Sequence, residues 1–306
     1  MATNTTQKNS TGRKAPGRKT SARGAAKKKT MPDVQSASGL ADRETPLIRN
    51  CWYVLDWAAD VKRKLKNRMV LNQDLVYFRT KAGDVTVLQN RCGHRCFPLH
   101  RSTLHKRDDT IQCGYHGLTY GTDGTCVKIP SALNLDPSYV KIQSYPALEK
   151  GPMIWIWAGD PDKADPALVP EYDWLINGDW GYGDGFYHVK GNYLQIHENL
   201  MDITHFQYLH GAALGTPKHA GSKIEVTVTG NTVNNYRINR GEGVPELHKK
   251  ASGLGEAEII RHAHSTFMTP GFHDAKALFE DPAGTNNGRT EYRPQILYFI
   301  TPETQY

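Results

Sequence analysis

The sequence has few cysteines and no long apolar run. Its 306 residues contain five Cys, too few for a disulfide framework. No segment reaches the roughly 20 consecutive apolar residues of a membrane span. We therefore expect neither a disulfide-stapled secreted domain nor an integral membrane protein, and we expect a cytoplasmic location. The cysteines are unevenly placed, as is typical of metal ligation in a reducing compartment; they are Cys51, Cys92, Cys96, Cys113 and Cys126.

Acidic side chains are absent from residues 1–32, which contain nine Lys or Arg. Since the whole chain has a net charge of +7, the rest carries −2. Residues 1–45 also have almost no large apolar side chain, so we predict a disordered basic tail. It is a solvated appendage in the simplest interpretation, with nucleic-acid contact and an organelle transit peptide as alternatives. A secretory signal is not expected, because no apolar segment follows the charges.

Short β-rich segments begin after Pro46. We predict strands at 69–71, 75–78, 85–88 and 153–157, and a hairpin at Asp123-Gly124. The Pro- and Asp-rich segment after Gly159 marks a boundary. The pattern predicts a small all-β domain over residues 46–160 and a second domain over 161–306.

The second half mixes helix and strand signals. We predict one helix from Asn192 to about Leu209, a half-buried strand over 224–228, where Ile and Val alternate with polar residues, and a strand over 292–301. The expected fold class is α+β, an all-β domain followed by an α/β domain with an antiparallel sheet.

Four potential metal ligands occur in two short segments, Cys92-Gly93-His94 and Cys113-Gly114-Tyr115-His116. Two Cys and two His suit either a tetrahedral zinc ion or a [2Fe-2S] cluster with both thiolates on one iron and both imidazoles on the other. Zinc knuckles generally use Cys-x-x-Cys, and Cys-x-His is tight for such a turn. The spacing favours the cluster.

These two segments, with Arg95, Pro98-Leu99 and Gly117, resemble the Rieske iron-sulfur motif. Phe97 and Tyr115 stand where Rieske proteins of respiratory complexes carry a disulfide, so the resemblance is to the oxygenase type. We expect Cys96 and Cys126 to be small buried residues rather than ligands.

A second constellation lies on the predicted helix: Asn199, Asp202, His205 and His210. Asn199, Asp202 and His205 are spaced by three and share one helix face. Joint metal binding by His205 and His210 requires the helix to end or distort near Tyr208, and Gly211 suits such a break. Taken alone, the His-x4-His spacing is a weak signal, and a structural role is the default interpretation of either histidine.

Downstream of a Rieske motif, this constellation resembles the mononuclear iron site of Rieske non-haem iron oxygenases. The resemblance implies that His205 and His210 bind Fe(II). It also implies that Asp202 joins an iron-binding histidine to a cluster histidine of a neighbouring subunit, here His116, and that Asn199 is a second polar residue close to the iron. A site of two His and one carboxylate leaves positions open for dioxygen.

The segments Trp155–Pro161 and Thr301–Thr304 resemble the vanillate O-demethylase branch of this family, which implies a helix-grip catalytic domain. In that branch the third iron ligand is an Asp beyond the Thr-Pro-Glu-Thr segment, and this sequence stops at Tyr306. No residue here matches that ligand, and we expect a C-terminally incomplete enzyme.

The resemblance implies a terminal oxygenase component that hydroxylates or O-demethylates an aromatic acid with dioxygen. Electrons would come from NADH through a flavin and iron-sulfur reductase, and the relatives suggest a homotrimer. Three alternatives stay open at this point: a ring cis-dihydroxylating dioxygenase, an electron-transfer protein with an inactive second domain, and a protein recruited to nucleic acid by its tail.

Overall fold

The computed structural model describes residues 47–132, 134–284 and 289–305. The predicted tail of residues 1–45 lies outside these ranges. Of the helices in the described ranges, none has the length and apolar character needed to cross a membrane.

In the described part of the first half, short antiparallel strands alternate with loops and 3₁₀ turns. The strands form three sheets, with the strand orders β1–β10–β9, β2–β3–β4 and β5–β6–β7–β8. The four predicted strands are present with ends that differ by a few residues, and Gly124 turns the predicted hairpin at a φ of 81°. The strands are β1 (Cys51–Trp57), β2 (Lys66–Val70), β3 (Gln73–Arg79), β4 (Val85–Gln89), β5 (Thr103–His105), β6 (Thr110–Gln112), β7 (Thr119–Tyr120), β8 (Cys126–Lys128), β9 (Ala147–Lys150) and β10 (Met153–Ala158).

Strand β10 is the centre of the core, and all of its residues are buried. Ile154 and Ile156 point into one apolar cluster with β1 and β3. Trp155 and Trp157 point to the other face, where they pack in a cluster that includes Phe272 of the second half. Burial on both faces explains why this strand reads as a continuous apolar run.

In the described residues, the second half has a six-stranded antiparallel sheet with four short α-helices. The sheet order is β11–β12–β13–β14, and β14 pairs with both β15 and β16. The elements are α1 (Tyr193–Met201), α2 (Phe206–Leu209), α3 (Pro217–Gly221), β11 (Glu225–Thr229), β12 (Thr232–Gly243), α4 (Glu246–Ser252), β13 (Glu258–Met268), β14 (Phe272–Glu280), β15 (Glu291–Tyr292) and β16 (Gln295–Phe299). The predicted α+β class is confirmed, whereas the domain boundary at residue 160 stays a prediction.

Three local predictions need correction. The strand predicted over 292–301 is split into β15 and β16 around Pro294, which has no N–H to donate to a ladder. The strand predicted over 224–228 exists as β11, but it is not half-buried: it lies at the sheet edge, and Val226 and Val228 are 60% and 69% exposed.

The third correction concerns the helix predicted from Asn192 to Leu209. Asn192 does begin α1, because its side chain accepts a hydrogen bond from the Leu194 N–H at 2.9 Å. The helix ends at Met201, where Asp202 leaves the helical conformation with φ −87° and ψ 88°. A 3₁₀ turn over Ile203–His205 and the single-turn helix α2 follow. The helix therefore breaks already at Asp202, and α2 then ends at Leu209, next to the position near Tyr208 where an end was predicted.

Polar side chains on one sheet face hold the backbone of this broken helical segment. The Asn235 Nδ2 donates to the Met201 carbonyl at 2.7 Å, and the Ser265 Oγ donates to the Leu200 carbonyl at 2.8 Å. Arg237 and Arg261 continue the same face and donate to carbonyls farther along the chain. Strands β12 and β13 thus position the segment that carries the predicted iron ligands.

Candidate functional site

The two segments that carry Cys92 and Cys113 fold into loops with the same backbone hydrogen bonds. In the first loop the Cys92 carbonyl accepts from the Cys96 N–H at 3.0 Å; in the second the Cys113 carbonyl accepts from the Gly117 N–H at 3.0 Å. The fourth residue after each cysteine has a positive φ, 54° for Cys96 and 75° for Gly117. The two loops therefore share the same backbone conformation.

Both cysteine side chains lie inside the domain. Cys92 is 2% exposed and Cys113 3% exposed, within a cluster that includes Leu99 and Ile111. The Cys92 Sγ lies 3.1 Å from the Tyr120 Oη, whose oxygen also accepts the Gly93 N–H at 3.0 Å. Tyr120 thus supports the first loop from the core of the domain.

Burial raises the pKa of the Cys113 thiol, while the backbone N–H of Tyr115 lowers it. The nearby Cys92 side chain raises this pKa further. N–H groups directed at a sulfur also stabilise a thiolate, the form that binds iron.

His94 and His116 lie together on the outer side of the same loops. Their ring centroids are 4.7 Å apart, and both side chains are exposed. The Tyr115 ring packs against the His116 ring at an interplanar angle of 36°, with centroids 3.8 Å apart. Two buried thiols and two exposed imidazoles form a donor set that fits a [2Fe-2S] cluster with unlike irons.

The remaining cysteines differ from each other. Cys126 is buried, as expected. Cys96 is exposed, so its predicted burial is wrong. Its place in the turn explains the difference, because the positive φ that completes the loop directs its side chain away from the core.

The break at Asp202 organises the second constellation. The Asp202 Oδ1 accepts hydrogen bonds from the Thr204 N–H at 2.9 Å and from the Thr204 hydroxyl at 2.5 Å. These bonds cap the turn that begins at Ile203 and lower the pKa of the Asp202 carboxyl. The carboxylate itself is exposed, as is Asn199 one turn earlier on α1.

His205 and His210 come together across α2. Their ring centroids are 5.2 Å apart, and Phe206 contacts both rings, with centroids at 5.1 Å and 5.6 Å. After one turn of α2, Gly211 adopts a φ of 52°, the residue expected to allow a break. The structure thus joins the two histidines that the sequence singled out.

Within the described ranges, no three His, Cys, Asp or Glu side chains are grouped as the ligands of one metal ion. A two-iron cluster of this type needs only two protein donors per iron, so the pairs Cys92/Cys113 and His94/His116 satisfy it. His205 and His210 supply two donors for a single iron, and no further donor joins them in the part of the chain that the structure describes.

A pair of buried histidines was not anticipated from the sequence. The His197 Nδ1 on α1 lies 2.7 Å from the His273 Nε2 on β14, and the side chains are 8% and 1% exposed. Burial lowers the pKa of His197 to about 4 and that of His273 to about 3. Both are therefore neutral near pH 7. The two residues are 76 positions apart in the sequence, so no local pattern indicates that they pair.

Buried charges form a second group that the sequence did not reveal, beneath the turn that carries His210. Arg237, Arg261, Glu242 and His219 are all at most 4% exposed. The rings of His219 and Phe206 stack with centroids 6.0 Å apart, which places this group behind the two histidines of the candidate iron site. Burial lowers the pKa of His219 to about 4.

A large cleft of about 1420 Å³ lies elsewhere, along the edge strand β16 and the segment 182–196. Neither His205 nor His210 lines it. The candidate site is therefore defined by its potential metal ligands and not by this cleft.

Comparison with known proteins agrees with this geometry. The model of the Rieske [2Fe-2S] domain matches residues 51–146, and the model of the vanillate O-demethylase oxygenase C-terminal domain matches residues 189–306. Both candidate sites fall within these matches.

Two curated relatives and one solved protein illustrate the similarity. The iron-sulfur subunit TsaM1 of the toluene-4-sulfonate monooxygenase system of Comamonas testosteroni is 37% identical over 66% of this chain and 58% of its own length. The vanillate O-demethylase oxygenase subunit of Pseudomonas sp. (strain HR199 / DSM 7063) is 31% identical over 84% of this chain and 73% of its own. Dicamba monooxygenase bound to 3,6-dichlorosalicylic acid superposes with a TM-score of 0.77 at 27% identity, over 84% of this chain and 74% of that one.

This chain thus spans less than two thirds of the toluene-4-sulfonate relative and about three quarters of the other two. The similarity extends through both candidate sites and both halves of the fold. The chain therefore belongs to the Rieske oxygenase subunits of the vanillate O-demethylase type.

Proposed function

We propose that this protein is the terminal oxygenase component of a Rieske-type monooxygenase. Cys92, Cys113, His94 and His116 would hold the [2Fe-2S] cluster, and His205 and His210 would hold a ferrous iron. The corresponding domains would be 46–160 and 161–306. The observation that carries the proposal is the set of two buried thiols and two exposed imidazoles at the tips of matched loops.

The cluster and the iron, when bound, would supply one-electron transfer and dioxygen activation. The chain's own residues would do the positioning. The exposed edges of His94 and His116 offer the surface through which an electron would leave the first site. The exposed Asp202, held by Thr204, could accept hydrogen bonds from imidazoles on either side with its free oxygen.

The relatives indicate a class of substrate. Toluene-4-sulfonate and vanillate, named for two of them, are anions of aromatic acids, and dicamba monooxygenase binds 3,6-dichlorosalicylic acid. We infer that this chain hydroxylates or O-demethylates an aromatic acid. Hydroxylation of a methoxy carbon yields a phenol and formaldehyde.

The partners follow from the same proposal. An NADH-linked flavin and iron-sulfur reductase would supply electrons in the cytoplasm. If Asp202 joins sites on two subunits, the active form is an oligomer, and the cyclic homotrimer that the family resemblance implies would give every cluster a neighbouring iron.

A second candidate is electron transfer alone. The pairing of His205 with His210 without a third donor in the described ranges favours it, because two imidazoles hold ferrous iron weakly. Iron and acid-labile sulfide per chain separate the two functions in anaerobically purified protein. About three irons with two sulfides support the oxygenase, and about two irons with two sulfides support the electron carrier.

Turnover then tests the reaction type. The loaded protein, a Rieske-oxygenase reductase and NADH are incubated with methoxylated benzoates under oxygen. Formaldehyde with the matching phenol supports O-demethylation. A cis-diol product would instead assign ring dihydroxylation, and NADH oxidation without an organic product would contradict both.

A further inference from the structure

Arg237 is a buried guanidinium with two unused donors. It lies on β12, on the sheet face that meets the helices, and is 1% exposed. Its Nη1 donates to the His219 carbonyl at 2.8 Å. Its Nε and Nη2 find no hydrogen-bond partner among the described residues. Buried donors of this kind are rare in proteins, and a ligand is one explanation for them.

The two unused nitrogens belong to the same edge of the guanidinium. Nε and Nη2 are the pair that presents two parallel N–H groups, the geometry that binds both oxygens of a carboxylate or two oxygens of a sulfonate. The Nη1 bond to the His219 carbonyl fixes the plane from the opposite side. Arg237 is therefore already oriented for a two-point contact with an anion.

Charges around Arg237 are unbalanced. The neighbouring buried cation, Arg261, lies 3.7 Å from the buried carboxylate of Glu242, whose other oxygen accepts from the Thr216 hydroxyl at 2.5 Å. No ion pair forms with Arg237 in the described part of the chain. The acidic group that acts on it is the exposed Asp202, at a distance beyond contact. The buried group thus contains two cations and one carboxylate, so it favours an incoming anion.

The position of Arg237 connects it with the candidate iron site. Arg237 binds the His219 backbone, the His219 ring stacks on Phe206, and Phe206 contacts His205 and His210. Two residues earlier on the same face, Asn235 binds the end of α1. Arg237 thus lies beneath the turn that carries both histidines.

We propose that Arg237 binds the acid group of the aromatic substrate through Nε and Nη2 and so selects aromatic acids over neutral aromatics. This inference rests on the proposed function, of which it names the substrate-recognition residue. The anionic head of the substrate would be anchored on β12.

Equilibrium binding tests the proposal without turnover. Titration calorimetry on the anaerobically purified full chain compares 4-methoxybenzoate and 4-toluenesulfonate with 4-methoxybenzamide, a neutral molecule of nearly the same shape. We expect both anions to bind about 10- to 100-fold more tightly than the amide, as for hydrogen bonds with a charged partner. Equal affinities for acid and amide would overturn the proposal even without a variant.

Variants then assign the preference to Arg237. Arg237→Gln should lower the affinity for both anions to that of the amide and leave amide binding unchanged. Arg237→Lys keeps the charge but lacks the two parallel N–H groups, so it should retain part of the preference for the anions over the amide. Arg240→Gln, at an exposed position of the same strand, is the matched control and should change nothing. If Arg237→Gln weakens acid and amide equally, Arg237 only braces the fold and the inference fails.

The two proposals fail in distinguishable ways. Formaldehyde release from 4-methoxybenzoate and from its amide with equal kcat/KM would leave the oxygenase function intact and overturn the role of Arg237. Selective, Arg237-dependent acid binding without any oxygenated product would support the anion site and contradict the oxygenase function.

Discussion

The two candidate metal sites are built on different kinds of scaffold. The cluster site uses two loops of the same design, each closed by backbone hydrogen bonds and anchored by a buried cysteine. The iron site uses a helix broken at Asp202, with His205 half-buried and His210 exposed at the ends of a one-turn helix. The backbone conformation of two loops thus positions the ligands of the cluster site, whereas the histidines of the iron site lie on a short irregular segment.

This difference teaches where each site is vulnerable. Matched loops on a buried sheet hold the four cluster donors in place through the fold itself. The histidine pair depends on a single capping residue and on part-buried polar contacts with β12 and β13. Local changes should therefore affect the second site selectively, whereas loss of the first site should also cut off the electron supply to the second.

The largest effect is expected from removing one donor at each site. His116→Ala should abolish the cluster and all turnover, because the second iron loses one of its two protein donors. His205→Ala should remove only the mononuclear iron and leave two irons and two sulfides per chain. Iron and sulfide analysis with the cluster's visible absorbance checks both. Loss of the cluster in His205→Ala would contradict the independence of the two sites.

Asp202→Asn separates capping from charge. The Asn side chain can still accept from the Thr204 N–H, so the fold and both metals should persist, while turnover falls about 10- to 100-fold. Asp202→Ala also loses the cap and should cost about 1 kcal/mol of stability. Metal content, turnover and urea unfolding distinguish these effects, and full activity in Asp202→Asn would contradict a role for the charge.

Acid should weaken the second half of the molecule. Burial lowers the pKa of His197, His219 and His248 to about 4 and that of His273 to about 3. Below about pH 6.5 these histidines are protonated in the unfolded chain, whereas in the folded chain they stay neutral until about pH 4. Stability should be greatest above pH 6.5 and fall by several kcal/mol as the pH drops to about 4.

Urea unfolding between pH 7 and pH 4 measures this loss. His248→Phe removes one of the four groups, next to Phe279 and Tyr292, and should make the decline shallower. His105→Gln, at an exposed position of the first half, is the control. A stability that does not change over this range would contradict the buried neutral histidines.

The smallest effect compares the two cluster loops directly. Gly117→Ala places a Cβ at a φ of 75° and 3.1 Å from the Pro130 Cγ, and should cost about 1–2 kcal/mol of stability. Cys96→Gly, at the matching position of the first loop, relieves a φ of 54° and should be neutral or stabilising by up to about 1 kcal/mol. Denaturant unfolding measures the change in stability of each variant. Equal destabilisation by Gly117→Ala and Cys96→Gly would show that the two loops are not equivalent.

Local patterns in the sequence predicted much of this molecule. Cys92, His94, Cys113 and His116 could be grouped because their spacing is a property of two short loops. The strands β3, β4 and β10 were foreseen because apolar runs between turn residues report local structure. His205 and His210 were singled out as a pair, although the helix that carries them was expected to be continuous.

Other features depended on contacts between distant segments. Asp202 breaks the helix because its side chain caps the next turn, and helical periodicity does not record that competition. Strand β11 alternates like a half-buried strand, yet its place at the sheet edge leaves it exposed. Cys96 was expected inside, but its backbone conformation turns it outward.

The sequence by itself thus determined the fold class, the family and the candidate ligands, because each is written in short-range spacing and residue type. Only the tertiary structure decided which polar groups are buried and what they face. It paired His197 with His273 and left one edge of Arg237 unused beneath the histidine turn. Burial and charge balance arise between segments far apart in the chain, and for that reason no local pattern could reveal them.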